Sequence, residues 1–297
     1  MVRKPTPLVI SEGDKRISEL EERTALLLTD MMTLVAGGVN YRSPLSALLE
    51  MLLGNVETVP PMENVHFYST AGVAVWTKPV SEKYVGSFVG VIGPGGPGGG
   101  ITGAADPDVW AIAGAGGGGG GGALGYYPSA ELGTSENMTI SAATIGPPDG
   151  SVIGTQGTAT FFTTNGVSLV ATGGNPGASA IAQSTAVLYL GGTGGTGGGS
   201  PLGPWAELRG SAGGIAIYNA AVTDVISGFG GGAPFFAGSA GGGGPELDTA
   251  VVGTDGFSPG QGGAGACGRG LLSGAVAKGG DGSPGFGFVV DLYSITG

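Results

Sequence analysis

The residue types that could do chemistry are few. Gly256-Phe-Ser258-Pro-Gly260 fits the spacing of a serine-hydrolase elbow, in which a sharp turn exposes a nucleophilic hydroxyl to an imidazole base. His66 is the only histidine in the 297 residues, so it is the one candidate base, and a chain this rich in glycine produces the motif by composition alone. Several G-x-G-x-x-G matches have the same origin: the fingerprint binds a dinucleotide only between a strand and a helix, and no such alternation flanks them. Asp106 and Asp108, in Ala-Ala-Asp-Pro-Asp, could offer oxygens to Ca²⁺, but two carboxylates make an incomplete site and a solvated turn accounts for them. Cys267 lies two residues from Arg269, which would favour a thiolate; the alternative is a small buried hydrophobe. One cysteine forms no intrachain disulfide and one histidine no multi-histidine metal site. The sequence therefore names no catalytic residue, no metal and no cofactor, and no aromatic-rich groove marks an acid pair for glycan cleavage. The remaining candidates are aromatic: Tyr126, Tyr127, Trp205, Phe235 and Phe236 stand in the interruptions between glycine runs, where aromatic side chains can anchor a receptor. They can equally cap the ends of glycine segments or pack across subunits.

Glycine dominates what must position these residues. Of 67 glycines, 6 precede Phe88 and 61 lie from Gly90 onward. Runs such as Gly116 to Gly122 break the strict every-third register of collagen. A flexible linker would have no use for apolar segments such as Leu188-Tyr-Leu or Phe288-Val-Val-Asp-Leu-Tyr293. Helix is disfavoured by about 0.8–1 kcal/mol per interior glycine. Extended three-residue-per-turn helices remain, because side-chain-free glycine lets neighbours approach and exchange N–H···O=C bonds. The expected fold is mainly β and irregular: a small α/β N-terminal module, then a glycine-rich domain of packed polyglycine-II-like helices and short β-strands. Large residues such as Ile112, Leu188, Tyr189, Ile217, Phe288 and Val290 should cover its faces.

Residues 1–62 form the expected first domain and 63–297 the second. Residues 1–16 read as an extended arm and Ile17–Leu28 as a short helix. Met31-Met-Thr-Leu-Val-Ala and Val39-Asn-Tyr-Arg flank Gly37-Gly38 as a hairpin. Ser43 could cap, and Pro44 begin, a helix over Leu45–Leu53 that Gly54 ends, with enough apolar surface for self-association. Asn55 to Glu63 reads as a linker.

The net charge is −11. Residues 1–83 hold 10 acidic and 8 basic groups, which leaves 12 and 3 for residues 84–297. Phosphate-backbone and anionic-membrane binding both need clustered Lys and Arg, so the glycine region suits neither. The N-terminus has no apolar signal region, and no run of 18 apolar residues occurs, so the expectation is a cytosolically made, non-membrane protein.

Two stretches carry a resemblance to bacteriophage tail-fibre and tail-tip proteins. One is Ile17-Ser-Glu-Leu, Thr29-Asp30, Gly37-Gly38, Tyr41-Arg42 and Leu45–Leu49, which looks like a virion-attachment module, although the proline often found after that first leucine is absent. The other opens with Phe67-Tyr-Ser-Thr-Ala-Gly-Val-Ala-Val-Trp, continues through Val89-Gly-Val-Ile-Gly-Pro-Gly-Gly-Pro, and closes with Gly279-Gly-Asp-Gly-Ser-Pro-Gly-Phe-Gly-Phe-Val-Val-Asp-Leu-Tyr. It resembles the glycine-rich domain of phage tail proteins over roughly residues 64–293. The resemblance implies a homotrimeric virion protein without enzymatic activity, located in the tail. Residues 1–62 would join other tail proteins, and loops on the glycine scaffold would meet a host-surface glycan or outer-membrane protein. A purely structural tail, baseplate or capsid-associated role is the alternative.

Overall fold

The structure is a computed structural model. It describes residues 31–36, 39–44, 64–103, 111–181, 188–189, 192, 206–218, 225–234, 238, 249–269 and 275–294. The expected N-terminal arm, both expected helices and the linker before residue 64 lie outside these. The chain divides into two compact units, Met1–Val59 and Pro60–Gly297.

In the first unit β1 (Met31–Ala36) and β2 (Val39–Pro44) pair antiparallel, with Ala36 opposite Val39. Only Gly37 and Gly38 connect them, as the hairpin signal predicts. Ser43 and Pro44 belong to β2, where Pro44 pairs with Met31. They are therefore not a helix cap and first helical residue: proline is tolerated at a strand terminus, where its missing N–H breaks no interior ladder bond.

The second unit begins with β3 (Val65–Tyr68), β4 (Gly72–Thr77), β5 (Tyr84–Ile92), β6 (Ile101–Thr102), β7 (Ala111–Ala113), β8 (Gly122–Pro128) and β9 (Ser135–Ile140). Next come β10 (Thr160–Thr164), β11 (Val167–Ala171), β12 (Ala180–Ile181), β13 (Leu188–Tyr189) and β14 (Ala206–Leu208). Then follow β15 (Ala216–Tyr218), β16 (Val225–Ile226), β17 (Thr249–Val251), β18 (Cys267–Arg269), β19 (Val276–Ala277) and β20 (Phe286–Tyr293). Among the described residues there is no α-helix, and the fold is mainly β and irregular.

At one end, a five-stranded sheet in the order β14-β8-β5-β20-β3 packs on a four-stranded sheet in the order β11-β10-β9-β4. Trp76, Val89, Tyr127, Met138, Phe162, Leu169 and Val289 fill the space between them. The opening segment β3 and the closing strand β20 are neighbours, and β20 also pairs with β5 along most of its length.

Five chain segments pass directly between this sandwich and the glycine-rich interior: β5 runs into 93–100, 114–121 into β8, β11 into 172–180, β14 into 209–214, and 278–285 into β20. Beyond the strands the ladders are replaced by backbone bonds that step by three residues. In segment 114–121 the N–H groups of Gly114, Gly117 and Gly120 donate to Ala266, Gly263 and Gly260. Those of Ala115, Gly118 and Gly121 donate to Ala178, Asn175 and Thr172, and those of Gly116 and Gly119 to Gly214 and Ser211. Its carbonyls accept from three further directions: Gly99, Gly96 and Gly93 bond to Ala115, Gly118 and Gly121, Gly228 and Gly231 bond to Gly114 and Gly117, and Gly192 bonds to Gly116. Segment 114–121 is thus surrounded by six others, and all eight of its N–H groups and six of its eight carbonyls are paired without a sheet.

The surrounding segments bond to one another as well. Gly174 donates to Pro94, Gly263 to Gly96, Gly262 to Gly231, Ser211 to Gly232 and Gly213 to Gly192. Outside this ring, Gly98 donates to Gly280 and Gly256 to Asp281, so segments 278–283 and 253–256 extend the array. The approach is close enough to dictate the sequence. A Cβ on Gly265 would fall on the Gly114 carbonyl, and one on Gly95 on the Gln261 carbonyl. Pro94 and Pro97 occupy the one phase of their segment that gives no N–H to the array; their carbonyls accept from Gly174 and Gly177, and their rings lie against Gly157 and Gly154.

At the far end of the array sit three small sheets, β12-β6-β19, β13-β15-β16 and β17-β18-β7. Their inward side chains are apolar and mostly small: Ile101, Ile112, Ala180, Ala266 and Ala277 make one cluster, and Ala113, Ala115, Ala216, Val225 and Cys267 another. Ile112 is buried, whereas Ile217, expected to cover a face, is half exposed.

Candidate functional site

The most chemical-looking cluster among the described residues lies at the base of the sandwich. Antiparallel pairing places Ser87 on β5 opposite Asp291 on β20, and His66 on β3 opposite Val289. The inward face of β20 therefore gathers all three. His66 Nε2 donates to Asp291 Oδ2 at 2.8 Å, and Ser87 Oγ donates to Asp291 Oδ1 at 2.7 Å. The Ser87 proton is thereby used, so Tyr84 must donate its hydroxyl proton to Ser87 Oγ, at 2.6 Å. Burial pushes the Tyr84 hydroxyl well above the usual tyrosine range, and the Asp291 charge adds to it. Tyr68 is raised for the same first reason.

The three residue types are those of a hydrolytic triad, but the order is not. A nucleophilic serine needs an imidazole to take its proton, with the carboxylate behind the imidazole. Here the carboxylate stands between the two and Ser87 is fully buried. The arrangement satisfies a buried carboxylate and ties the edge strand β3 to the sheet.

The residues nominated from sequence are placed as follows. Ser258 sits in a turn, not on a strand-to-helix elbow: the buried Gln261 side chain accepts from the Phe257 and Ser258 N–H groups, at 2.8 and 3.1 Å, and Gly260 takes φ of +72°. His66, its only candidate base, is engaged by Asp291. Cys267 is buried in the small-residue cluster between β18, β7 and β16. Burial raises its thiol pKa, against a hydrogen bond with Ser227 that lowers it, which is the opposite of thiolate activation by Arg269. Asp106 and Asp108 lie outside the described residues.

Of the candidate receptor aromatics, Tyr127 faces the sandwich core and is 1% exposed, with its ring 5.6 Å from that of Phe162. That burial accounts for it without a receptor. Tyr126, its neighbour on β8, points to the opposite side of the sheet, and its hydroxyl donates to the Val85 carbonyl. Trp205, Phe235 and Phe236 lie outside the described residues. The structure brings Tyr126 and Tyr127 to the sandwich, at the end opposite the three small sheets.

Those small sheets mark where the chain reverses. β6 and β7, β12 and β13, β15 and β16, and β18 and β19 are consecutive strands that leave and re-enter at this one end. The two clusters of small residues hold these strand ends together. The turn at Asp149–Ser151 joins them, since Gly150 N–H donates to Thr102 Oγ1 at 2.9 Å. Asp149 accepts from the Ser151 N–H and hydroxyl, which lowers its pKa. The sequence reading missed this concentration of reversals. Its signal was the repeated passage from a glycine run through a two- or three-residue apolar stretch into a short polar one, as in Gly214-Ile-Ala-Ile-Tyr-Asn219.

No model of a known protein family matches the chain, and no curated protein matches it.

Proposed function

We propose that this chain is a bacteriophage virion protein, a tail-fibre or tail-tip adhesin that presents host-binding loops on a rigid glycine scaffold. The observation that carries the reading is the array of glycine segments bonded in six directions and reversing at one end. We read the segments as packed polyglycine-II-like helices. Support for this comes from the three-residue step of the hydrogen bonds, which matches three residues per turn, and from the absence of room for a Cβ between segments.

Such a scaffold serves binding because loops tethered at both ends to a fixed frame lose little entropy when they meet a surface. The sequences 104–110, 182–187, 219–224 and 270–274, which join the strands of the small sheets along the chain and lie outside the described residues, combine Asp, Gln, Ser and Thr with Trp110 and Leu271-Leu272, a composition suited to a glycan or an outer-membrane protein. This moves the weight of the receptor assignment from Tyr126 and Tyr127 to the opposite end of the domain. Residues 1–62 would be the α/β module that joins other tail proteins, and assembly as a homotrimer would multiply weak contacts into avidity. Adhesion rather than catalysis is the work proposed, and the virion tail is its place.

The test is binding of the labelled full-length chain to a panel of bacterial cells and to polysaccharide and outer-membrane vesicles extracted from them. Saturable binding that is weakened by changes in 104–110 or 270–274, and that blocks phage adsorption on the same strain, is the expected result. A folded chain that binds none of the panel would instead support the purely structural virion role.

A further inference from the structure

An asparagine or aspartate followed by glycine is chemically vulnerable, because the glycine nitrogen can attack the preceding side-chain carbonyl when no Cβ screens it. The chain has one Asn-Gly pair, Asn165-Gly166, and three Asp-Gly pairs, Asp149-Gly150, Asp255-Gly256 and Asp281-Gly282. The structure separates the four. Gly150 N–H donates to Thr102 Oγ1 at 2.9 Å, Gly256 N–H to the Asp281 carbonyl at 2.8 Å, and Gly282 N–H to the Thr144 carbonyl at 3.1 Å. Each of these nitrogens is held by a bond that attack would have to break. Among the described residues Gly166 N–H meets no acceptor.

The turn explains the difference. Only Asn165 and Gly166 connect β10 to β11, and both take positive φ, +47° and +77°, as a type I′ turn requires. In such a turn the closing hydrogen bond joins the flanking residues, here Thr164 and Val167, which pair in the ladder. The Gly166 N–H is left over. Asn165 is exposed, and nothing lies within 4 Å of the place a Gly166 Cβ would take. The remaining described asparagines precede Tyr41, Val65, Met138 and Pro176, whose side chains screen the nitrogen or, at Pro176, remove its N–H.

We propose that Asn165 is the site at which this protein deamidates spontaneously, with water as the only co-reactant. Gly166 N bonds to Asn165 Cγ, Nδ2 leaves as ammonia carrying the Gly166 proton, and a cyclic imide remains. Water then opens one of the two ring C–N bonds. Breaking the bond to Cγ gives aspartate; breaking the bond to the main-chain carbonyl gives isoaspartate, with the chain running through Cβ and Cγ. The attack turns Asn165 out of its left-handed conformation, which costs a non-glycine residue energy, and it needs only the hairpin end to open, not the sheet. The product also undoes a tie. Asn165 Nδ2 donates to the Glu131 carbonyl at 2.6 Å, joining this turn to the single 3₁₀ turn Ser129–Glu131. A carboxylate there has no proton to donate and brings negative charge beside Glu131. This chemistry is independent of what the chain binds.

The experiment ages the folded full-length chain in mildly alkaline buffer, which favours the deprotonated amide nitrogen, and maps it by proteolysis and mass spectrometry. The peptide carrying residue 165 should gain the mass of an –NH2 to –OH exchange and split into two isomers, one of them a substrate for isoaspartate-specific methylation. Over the same interval Asp149, Asp255 and Asp281 should show no isoaspartate, whereas in denaturant all four sites should convert. Asn165→Asp, one of the two products made directly, should speed amide exchange in 129–132 about fivefold. Asn165 left intact in the folded chain while the denatured chain converts would overturn the proposal, as would isoaspartate appearing first at an Asp-Gly pair. Exchange in Asn165→Asp equal to that of wild type would overturn the tie to Glu131.

Discussion

Gly117→Ala is the sharpest perturbation of the array. Gly117 lies in the central segment, donates to Gly263 at 2.9 Å and accepts from Gly231 at 2.8 Å. An added Cβ would overlap the Gly96 carbonyl and lie 2.6 Å from the Pro97 oxygen. Both are backbone atoms and cannot swing aside, so segment 93–100 must move. Overpacking of this kind costs about 1–3 kcal/mol. The shift also strains the bonds from Gly96 to Gly118 and from Gly263 to Gly96, at about 1–3 kcal/mol for each buried group left unpaired. Alanine returns only about 0.4–1 kcal/mol by restricting the unfolded chain. The net loss is about 2–5 kcal/mol, or a fall in Tm of roughly 5–15 °C for a unit of this size. Thermal unfolding followed by circular dichroism reads this directly. The control is Gly133→Ala, whose Cβ would meet the Glu136 carboxylate at 3.1 Å and no backbone atom closer than 3.6 Å; its Tm should fall by less than that of Gly117→Ala. A Gly117→Ala protein as stable as wild type would refute the close-packed array.

Three further outcomes follow from the same geometry. Gly98→Pro, which removes the N–H donated to Gly280, should destabilise by about 2 kcal/mol or more, whereas Pro97→Gly should cost no more than about 1 kcal/mol; equal effects in chemical denaturation would contradict the three-residue phase. Burial holds the Tyr84 hydroxyl protonated to higher pH than in the unfolded chain, where tyrosine ionises near 10.0. The unfolded state therefore loses that proton first, and stability should decline as pH rises above 10.0; Tyr84→Phe should flatten the decline in denaturant midpoints between pH 9 and 12, and an unchanged slope would count against this assignment. Cys267, buried with a raised thiol pKa, should react with a thiol-specific disulfide reagent at least about tenfold more slowly in the folded than in the unfolded protein, and equal rates would show that the small-residue cluster is open.

Much of the scaffold was written in local spacing. Gly93-Pro-Gly-Gly-Pro-Gly-Gly puts proline at every third position, and those are the positions whose N–H the array does not use. Gly37-Gly38 announced its hairpin, and the mainly β character followed from the short apolar runs between glycines. What local spacing could not carry was long-range pairing: nothing in Gly114–Gly121 says that six particular segments will surround it, because every glycine offers the same donor and acceptor. The core position of Tyr127 is hidden for a related reason. Its strand presents Ala123, Gly125 and Tyr127 inward, so glycine and alanine stand where larger residues would advertise a core face. Ser43 and Pro44 fit a helix start by type, yet the ladder with β1 extends through them. The buried pair Ser87 and Asp291 was illegible because the two lie 204 residues apart and only the β5–β20 register joins them.

Amide hydrogen exchange, resolved to the segment 114–121, tests the scaffold most directly. Apart from Ala115 these residues carry no side chains to shield their N–H groups, so protection depends on the bonds to 260–266, 172–178 and 211–214. The account predicts that they exchange as slowly as the core amides of β5, through global unfolding. Exchange at the rate of an unstructured glycine chain would contradict it.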